Sequence, residues 1–585
     1  MLRNALLAGV ALALTACTAP TSDRAAPAAQ MVVTANPYAT DAGLTVLRDG
    51  GSAVDAAVAI QAVLSLVEPQ SSGLGGGAFL VHYDAAGKAV TVYDGRETAP
   101  AAVTPDLFLG DDGQPLGFLD AKTSGLSTGV PGAVAMLALA HGDHGKLAWN
   151  TLFDPAVTLA EDGFEISPRL NSLVTRFGRF IPDTPDEGPL DAYRYFFNAD
   201  GQPLPVGHRL KNPDYAATLK LLANDPQALY RGRLAEAIAA MVARPPRAGA
   251  MTVDDIAGYT AQKRDALCRH YRRYRLCGPP PASSWLAVAM TLGLAAAGDD
   301  FSAGGADDVN NWALFAKAQQ LAYADRDHYV ADDRVVAVPV DGLLSDGYIA
   351  ERAGLLSAGS AAERVAPGDP WAYQPGRPAQ AAGLDTTDDT AGTSHFVVVD
   401  AAGDVVSMTS SVESIFGSTR MVGGMFLNNQ LTDFSFAPVD ERGRPIANAA
   451  APNKRPRSSM SPTIVLDENG DFVMATGSPG GNNIIAYTAK TLIGVLDWGL
   501  TVQQAVDLPN MVARGDVVRL ERERAPRSLV DGLTALGFEV DASGGENSGL
   551  SVVVRRPDGT LEGAADPRRE GVVGTFLDRS GILPR

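Results

Sequence analysis

The chain has 585 residues, 46% of them hydrophobic, and a formal net charge of −19. Its length and hydrophobic fraction suffice for a large buried core, and its acidity excludes an electrostatic surface for nucleic acid or anionic lipid headgroups. We therefore expect a globular enzyme that acts on small molecules.

The first thirty residues predict export. Residues 1–16 combine a basic start with a short apolar run, which is typical of a secretion signal and too short to span a bilayer. Cys17 directly follows Leu-Thr-Ala, the pattern of a lipoprotein cleavage site, so we expect a lipidated Cys17 and a periplasmic protein held to a membrane by that lipid. A plain signal cleaved near Ala19 is the alternative. Residues 17–30 are small, polar and Pro-containing, and predict a flexible tether.

Hydrophobic spacing in the first half predicts mixed helices and strands. Ala39–Val67 suits two helices interrupted at Gly50-Gly51, and the glycine-rich stretch Gly73–Gly77 leads into strands at Ala78–Tyr83 and Ala89–Tyr93. Further helices are expected over Gly132–His141, Thr151–Asp162, Ala216–Leu222, Leu234–Val242 and Asn311–Tyr329.

No cofactor or metal site is expected. The order helix, glycine-rich turn, strand around Gly73–Gly77 is the reverse of the dinucleotide fingerprint. The seven histidines are scattered, and no His-Glu-x-x-His or paired Cys-x-x-Cys spacing occurs.

Ser127 is a second-rank candidate nucleophile. Gly125-Leu-Ser127-Thr-Gly129 matches the nucleophile elbow of serine hydrolases. The preceding Leu119–Ser124 is not the apolar strand that an elbow requires, so we expect a turn.

Cys268 and Cys277 remain once Cys17 is assigned to the signal. If Tyr271–Tyr274 forms the turn of a hairpin, the two cysteines lie opposite each other and close enough for a disulfide. Two half-buried thiols are the alternative.

Thr393 marks a change in the character of the chain. Residues 356–392 are rich in small residues, proline and aspartate and lack apolar periodicity, which predicts an exposed, mobile segment. Directly after it, Ser394–Asp400 and Asp404–Val412 predict a hairpin around Ala401–Gly403. We find no repeat or linker elsewhere, so the two halves are expected to build one fold.

Two groups of motifs together carry a family likeness. The last third of the chain contains Gly392-Thr-Ser-His-Phe396, Leu427–Asp433, Pro452–Pro462, Gly477–Asn482 and Ala565-Asp-Pro-Arg568. Upstream lie Met31–Gly43, Gly50–Ala57, Gly129–Gly132 and Ala322–Arg326. These motifs resemble the small and the large subunit, respectively, of the gamma-glutamyltranspeptidase (glutathione hydrolase) family, and the resemblance covers nearly the whole mature chain.

The resemblance implies an N-terminal-nucleophile hydrolase, an α/β fold with a four-layer αββα sandwich built from both autoproteolytic subunits. Residues 31–392 would be the large subunit and residues 393–585 the small one. Cleavage between Gly392 and Thr393 would free a threonine whose own amine can serve as the base for its hydroxyl. Lacking a Cβ, Gly392 suits the close approach that this cleavage requires.

The resemblance also assigns the remaining site residues. Gly480 and Gly481 match the pair whose backbone amides face the oxyanion, and Ser411 matches a hydroxyl that orients the nucleophile's amine. The carboxylate clamp corresponds to Arg96, Ser458 and Ser459, and the ammonium side to Glu413, Gln430 and Asp433.

The implied reaction is cleavage of gamma-glutamyl amides such as glutathione, with transfer of the acyl group to water, an amino acid or a peptide. One rival is a beta-lactam side-chain (glutaryl or cephalosporin) acylase on the same scaffold. Another is an uncleaved lipoprotein that binds amino acids without catalysis. The segment from Phe434 to Pro452 lacks the tyrosine that closes the pocket in lid-bearing relatives.

Overall fold

The computed structural model describes residues 30–183, 190–298, 301–356, 365–376, 382–387, 392–545 and 547–575. The predicted signal, Cys17 and the predicted tether up to residue 29 lie outside these residues. Within the described ranges, no helix is long and apolar enough to cross a membrane.

The strands are β1 (Met31–Thr34), β2 (Gly77–Asp84), β3 (Ala89–Gly95), β4 (Phe164–Glu165), β5 (Arg209–Leu210), β6 (Gln262–Asp265), β7 (Leu267–Tyr271), β8 (Tyr274–Gly278), β9 (Gly392–Val399), β10 (Val405–Glu413), β11 (Met421–Val422), β12 (Met425–Phe426), β13 (Thr463–Leu466), β14 (Phe472–Gly477), β15 (Met511–Val512), β16 (Val517–Leu520), β17 (Glu539–Asp541), β18 (Ser551–Arg555), β19 (Leu561–Ala565) and β20 (Val572–Thr575).

The α-helices are α1 (Pro37–Arg48), α2 (Ala53–Val67), α3 (Phe118–Lys122), α4 (Ala133–His144), α5 (Asp154–Asp162), α6 (Pro168–Phe177), α7 (Asp191–Phe196), α8 (Pro213–Asn224), α9 (Arg233–Val242), α10 (Val253–Ala257), α11 (Trp285–Ala296), α12 (Val309–Tyr329), α13 (Val340–Leu344), α14 (Asp346–Ala353), α15 (Ile484–Leu496), α16 (Val502–Asp507) and α17 (Arg527–Ala535). The helices predicted from hydrophobic spacing are confirmed. Ser52 explains the break between the first two helices, because it forms a capping box with Asp55 that starts α2.

Two large sheets carry the fold. The first has the strand order β20-β1-β9-β10-β2-β3-β6 and the second β19-β18-β14-β13-β8-β7. Each sheet therefore contains strands from both sides of Gly392, and the expectation that the two halves build one fold is confirmed.

Successive side chains of the inner strands point to opposite faces of their sheet and so belong to different layers of the core. In β9, Val397 and Val399 pack with Ile464 and Val553 of the second sheet, whereas Val398 joins the cluster under α1, α2 and α4. The outer face of the second sheet packs with α11, α12 and α15. Because side chains alternate along each strand, both faces of each sheet carry apolar residues, and the layers of the fold follow in the order helices, sheet, sheet, helices.

The predicted hairpin around Ala401–Gly403 is confirmed as β9 and β10. These strands pair antiparallel with Thr393 opposite Ser411, and a register shift then places Glu413 opposite Gly392. The start of β9 therefore lies beside the end of β10, in the middle of the first sheet.

The expectation of an exposed segment over residues 356–392 is wrong for several of its described residues. Pro370–Tyr373 forms a 3-10 helix in which Trp371 is buried. Asp385 is also buried, and its carboxylate lies 2.9 Å from the Arg457 guanidinium. The composition did not reveal this because one tryptophan and one ion pair can anchor a segment that lacks apolar periodicity.

Candidate active site

Thr393 is buried at the start of β9, with its hydroxyl directed at β10. Its Oγ1 lies 3.1 Å from the Oγ of Ser411. Ser411 Oγ also donates to the carbonyl oxygen of Gly392 at 2.9 Å and accepts from the amide of Glu413 at 2.8 Å. One hydroxyl thus contacts both the candidate nucleophile and the carbonyl of the peptide bond that precedes it.

Gly392 is held where only a residue without a side chain fits. A Cβ at this position would overlap the backbone of Glu413 and Ser414. The close approach follows from the register shift at the end of β10, where Glu413 has a positive φ of 78°. Left-handed backbone in a non-glycine residue stores strain and is common at functional sites.

Gly480 and Gly481 form the turn between β14 and the start of α15. Gly480 has φ 145°, and Gly481 begins a short 3-10 helix that continues into α15. A Cβ on Gly480 would lie 2.5 Å from the Tyr487 ring. The turn therefore places backbone amides at the positive end of a helix dipole, which suits a developing negative charge.

Arg96 and Asp433, predicted as partners for opposite ends of a substrate, are ion-paired with each other. The Arg96 guanidinium is fully buried, and its Nη2 donates to Asp433 and to the carbonyl of Arg457, the latter at 2.7 Å. Gln430 donates to the same Asp433 oxygen at 2.9 Å. The cationic and anionic groups are thus adjacent, and each neutralises the other out of water.

Ser458 and Ser459 follow Arg457 in a buried loop. Ser459 Oγ accepts from the Arg326 guanidinium at 2.6 Å and lies 3.3 Å from the side-chain oxygen of Asn482. The loop therefore joins the Arg96 pair to the glycine turn. Arg326 belongs to the motif Ala322–Arg326, which signalled family likeness but gave no reason to place this side chain at the site.

Glu413 is buried beside Asn429 and Ser414, both of which donate to its carboxylate. Lys122 approaches from α3 and donates to the carbonyl of Ile415 at 2.9 Å. Burial lowers the pKa of Lys122 to about 8, and the nearby Glu413 carboxylate opposes that shift. Lys122 carried no sequence signal for the site, since it is a lone charge in a polar stretch.

Arg569 is a further neighbour of Thr393 that the motifs did not identify. Its Nη1 donates to the Thr393 carbonyl oxygen at 2.7 Å. On the next residue, Ser394 donates to Glu68 at 3.0 Å, and Glu68 pairs with Arg169. Arg569 directly follows the motif Ala565–Arg568, which is the only hint the sequence offers.

The structure separates the other candidates from this cluster. Ser127 lies in a 3-10 helix, Gly125–Ser127, and its hydroxyl donates to backbone carbonyls of Lys122 and Ser124. It therefore lacks the strand before it that an elbow requires. Cys268 and Cys277 are paired across β7 and β8, and a disulfide joins them.

Within the described ranges, no group of three or more His, Cys, Asp or Glu side chains could hold an ion. The polar groups of the site are hydroxyls, amides and charged pairs, and groups of these kinds suit acyl transfer.

Stacked sheets between helical layers, with a buried threonine at the start of a central strand, define the class as an N-terminal-nucleophile hydrolase. The family model for gamma-glutamyltranspeptidase matches residues 39–576. The chain belongs to this family and is a gamma-glutamyl hydrolase or transferase.

Individual relatives span nearly the full chain. The glutathione hydrolase proenzyme of Bacillus subtilis (strain 168) is 34% identical, with 94% of this chain and 92% of that protein covered. The glutathione hydrolase proenzyme of Escherichia coli (strain K12) is also 34% identical, with 92% and 90% covered. Among solved structures, a cephalosporin acylase from Bacillus halodurans aligns with a TM-score of 0.78 and 25% identity, covering 96% of this chain and 99% of that one.

Proposed function

We propose that Thr393 becomes the N-terminal nucleophile of this enzyme after the chain cleaves its own Gly392–Thr393 bond. The observation that carries the proposal is the Ser411 hydroxyl, which lies 2.9 Å from the Gly392 carbonyl oxygen and 3.1 Å from Thr393 Oγ1. The products would be the large subunit, residues 31–392, and the small subunit, residues 393–585. Both bacterial relatives are named as proenzymes, which supports a precursor that is cut.

Cleavage begins with the Thr393 hydroxyl. Its oxygen attacks the Gly392 carbonyl carbon while Ser411 donates to the carbonyl oxygen. The peptide C–N bond breaks, the nitrogen takes a proton, and Gly392 is left as an ester on Thr393. Water then hydrolyses the ester, which frees the Thr393 amine and hydroxyl together.

The mature amine and the glycine turn supply the rest of the chemistry. The Thr393 amine takes the proton of its own hydroxyl, which then attacks the gamma-carbonyl of the substrate. The backbone amides of Gly480 and Gly481 stabilise the oxyanion, because the turn precedes α15 and carries no side chains. The acyl group then passes to water or to the amine of an amino acid or peptide.

The gamma-glutamyl head group carries both a carboxylate and an ammonium. Arg96, with Ser458 and Ser459, would bind the carboxylate. Asp433, Gln430 and Glu413 would bind the ammonium. Arg96 and Asp433 pair with each other in the structure, and a zwitterionic head would replace that pairing without leaving either charge alone. Glutathione is the substrate that the names of both bacterial relatives support.

The alternative activity is removal of a beta-lactam side chain. It is favoured by the fold likeness to the cephalosporin acylase. A glutaryl carboxylate, however, would compete with Asp433 for Arg96 and brings no ammonium to offset that competition. We therefore favour gamma-glutamyl donors.

One set of measurements tests the proposal. Purified wild type should give two bands on a denaturing gel, and N-terminal sequencing of the smaller should begin at Thr393. It should release the anilide from a gamma-glutamyl anilide faster than from its glutaryl analogue. Thr393→Ala should remain full length, while Thr393→Ser should still cleave.

A single uncut wild-type band, indistinguishable from Thr393→Ala, would instead support a binding protein without catalysis. Preference for the glutaryl anilide would support the acylase. Export and lipid attachment at Cys17 belong to the same proposal, and they rest on the sequence because Cys17 is outside the described residues. Labelled fatty acid should enter the wild type but not Cys17→Ser.

A further inference from the structure

Arg569 contacts the backbone of Thr393, whereas Ser411 contacts its hydroxyl. Its guanidinium Nη1 lies 2.7 Å from the Thr393 carbonyl oxygen, and Nη2 lies 3.4 Å from the carbonyl of Asn547. Only 7% of the residue is exposed. Burial of a guanidinium costs free energy of desolvation, so its position beside the backbone of a candidate nucleophile calls for a functional explanation.

The Arg569 side chain packs closely against Gly549, which also lies beside Pro479. A Cβ on Gly549 would lie 2.6 Å from Arg569 Cδ and 2.7 Å from Pro479 Cγ, so all three residues are packed without spare room. Pro479 directly precedes Gly480. Gly549 thus packs against both the Arg569 side chain and the residue that leads into the turn proposed to hold the oxyanion.

The geometry also places charge near the future amine. In an extended residue the nitrogen and carbonyl oxygen are separated by roughly 2.8 Å, so a guanidinium nitrogen 2.7 Å from that oxygen lies on the order of 5 Å from the Thr393 nitrogen. A cation at this distance in a buried site disfavours the charged form of an amine.

We propose that Arg569 is a positioning residue for Thr393: it fixes the carbonyl of the nucleophile and keeps the neighbouring N-terminal amine in its neutral, proton-accepting form. The inference rests on the proposed role of Thr393. It assigns Arg569 no contact with substrate.

Other charged groups around Thr393 also influence the protonation of its amine. Glu413 ends β10, and its backbone amide donates to Ser411 next to the nucleophile. A carboxylate on this residue favours the protonated form of the Thr393 amine. From α2, Glu68 acts in the same direction through Ser394, and Arg169 offsets it.

The charge states of Asp566, His395 and Arg569 complete the electrostatic surroundings of the amine. Asp566 lies next to Arg569 but is already paired with Arg568. Burial lowers the pKa of His395 to about 3, so this side chain is neutral at working pH. Burial and the nearby Arg169 lower the pKa of Arg569 itself, to about 9, which leaves it charged at neutral pH. Arg169 thus pairs with Glu68 and Lys122 lies near Glu413, while Arg569 is the cation that contacts Thr393 itself.

The test is the acid limb of the pH profile of kcat/KM for a gamma-glutamyl anilide, measured on the full-length expressed protein. Arg569→Gln should move that limb upward by roughly one pH unit, because loss of the cation raises the pKa of the amine. Arg569→Lys should keep the limb at the wild-type position with a lower kcat. Arg555→Gln, which removes an exposed guanidinium at the end of β18, is the charge-matched control and should leave the profile unchanged.

Each outcome decides the inference. A cleaved Arg569→Gln enzyme with the wild-type acid limb would overturn it, since a purely structural role lowers rate without moving the limb. If Arg569→Gln stays uncut, the Lys variant decides: cleavage and a wild-type limb support the proposal, and an uncut chain or a displaced limb contradicts it. Failure of Thr393 as nucleophile would look different, because wild type itself would then be uncut or inactive.

Discussion

Ser411 and Thr393 face each other across β10 and β9, with their hydroxyl oxygens 3.1 Å apart. The same Ser411 hydroxyl donates to the carbonyl of Gly392. One side chain can therefore assist two reactions in sequence, first the cleavage that creates the nucleophile and then the orientation of that nucleophile toward substrate.

Removal of the Ser411 hydroxyl should slow both reactions. We expect Ser411→Ala to cleave its Gly392–Thr393 bond about 10- to 100-fold more slowly, since the hydroxyl would stabilise the developing oxyanion by about 1.5–3 kcal/mol. Band intensities on a denaturing gel over time measure this rate. Ser411→Thr keeps the hydroxyl and is the control. Equal cleavage rates for Ser411→Ala and wild type would separate Ser411 from the reaction.

Asp433 should determine the preference for donors that carry an alpha-ammonium. Asp433→Asn removes the negative charge but keeps the shape, so the ratio of rates on gamma-glutamyl and glutaryl anilides should fall about 10-fold or more. Asp440→Asn is the matched control, because Asp440 lies seven residues further along the chain and pairs with Arg444. A ratio that falls equally in both variants would contradict the assignment of Asp433.

Gly480 should tolerate no side chain. Its φ of 145° is unfavourable for other residues, and a Cβ would meet the Tyr487 ring at 2.5 Å. We expect Gly480→Ala to lower kcat by about 100-fold or more through loss of an oxyanion donor.

Gly499→Ala is the control for this substitution. Gly499 also has a positive φ, 63°, but it is exposed and a Cβ there would meet nothing within 4 Å. Comparable kcat losses in the two variants would indicate general backbone damage rather than loss of a donor at the site.

The sequence predicted those parts of the site that depend on local pattern. Alternation around Ala401–Gly403 places Thr393 at the start of a buried strand. A hairpin turn at Tyr271–Tyr274 would place Cys268 opposite Cys277, but the sequence left two half-buried thiols as the alternative. Motif likeness then supplied Arg96 and the glycine pair. What remained hidden depends on contacts between distant segments: Arg569 meets Thr393 across 176 positions, and hydrophobic periodicity does not report such a contact.

Ion pairs in the core could not be predicted from the sequence either. A carboxylate in a polar, proline-containing segment looks solvated, yet Asp385 is buried against Arg457. Likewise, the resemblance assigns Arg96 and Asp433 to opposite ends of a substrate, and nothing in the sequence indicates that they form an ion pair beside the loop Pro452–Pro462.

The pair Cys268 and Cys277 should stabilise the β7–β8 hairpin at the edge of the second sheet. Closing a loop with a sequence separation of nine residues corresponds to about 2–3 kcal/mol in the chain-entropy description. The double variant Cys268→Ser, Cys277→Ser should therefore melt at a lower temperature than wild type under oxidising conditions. Reductant should lower the melting temperature of the wild type and leave that of the variant unchanged; a wild type insensitive to reductant would contradict the prediction.

His395 should make the fold sensitive to acid. Burial, against Gly477 and Thr409, lowers its pKa from 6.5 to about 3. Between these values the unfolded chain binds a proton that the folded chain does not. Its contribution to stability is therefore complete above pH 6.5 and is lost as pH falls toward 3, by about 1.4 kcal/mol per pH unit.

Denaturant midpoints measured from pH 7 to pH 4 would test this dependence. His395→Gln should be less stable at pH 7, because it disrupts a packed site, but its midpoint should fall less steeply with acid. His270→Gln, at an exposed position on β7, should retain the wild-type slope. His82, whose pKa burial also lowers to about 3, remains in all these variants and should leave part of the acid sensitivity in place. Parallel slopes for His395→Gln and wild type would assign that sensitivity to His82 and other groups instead.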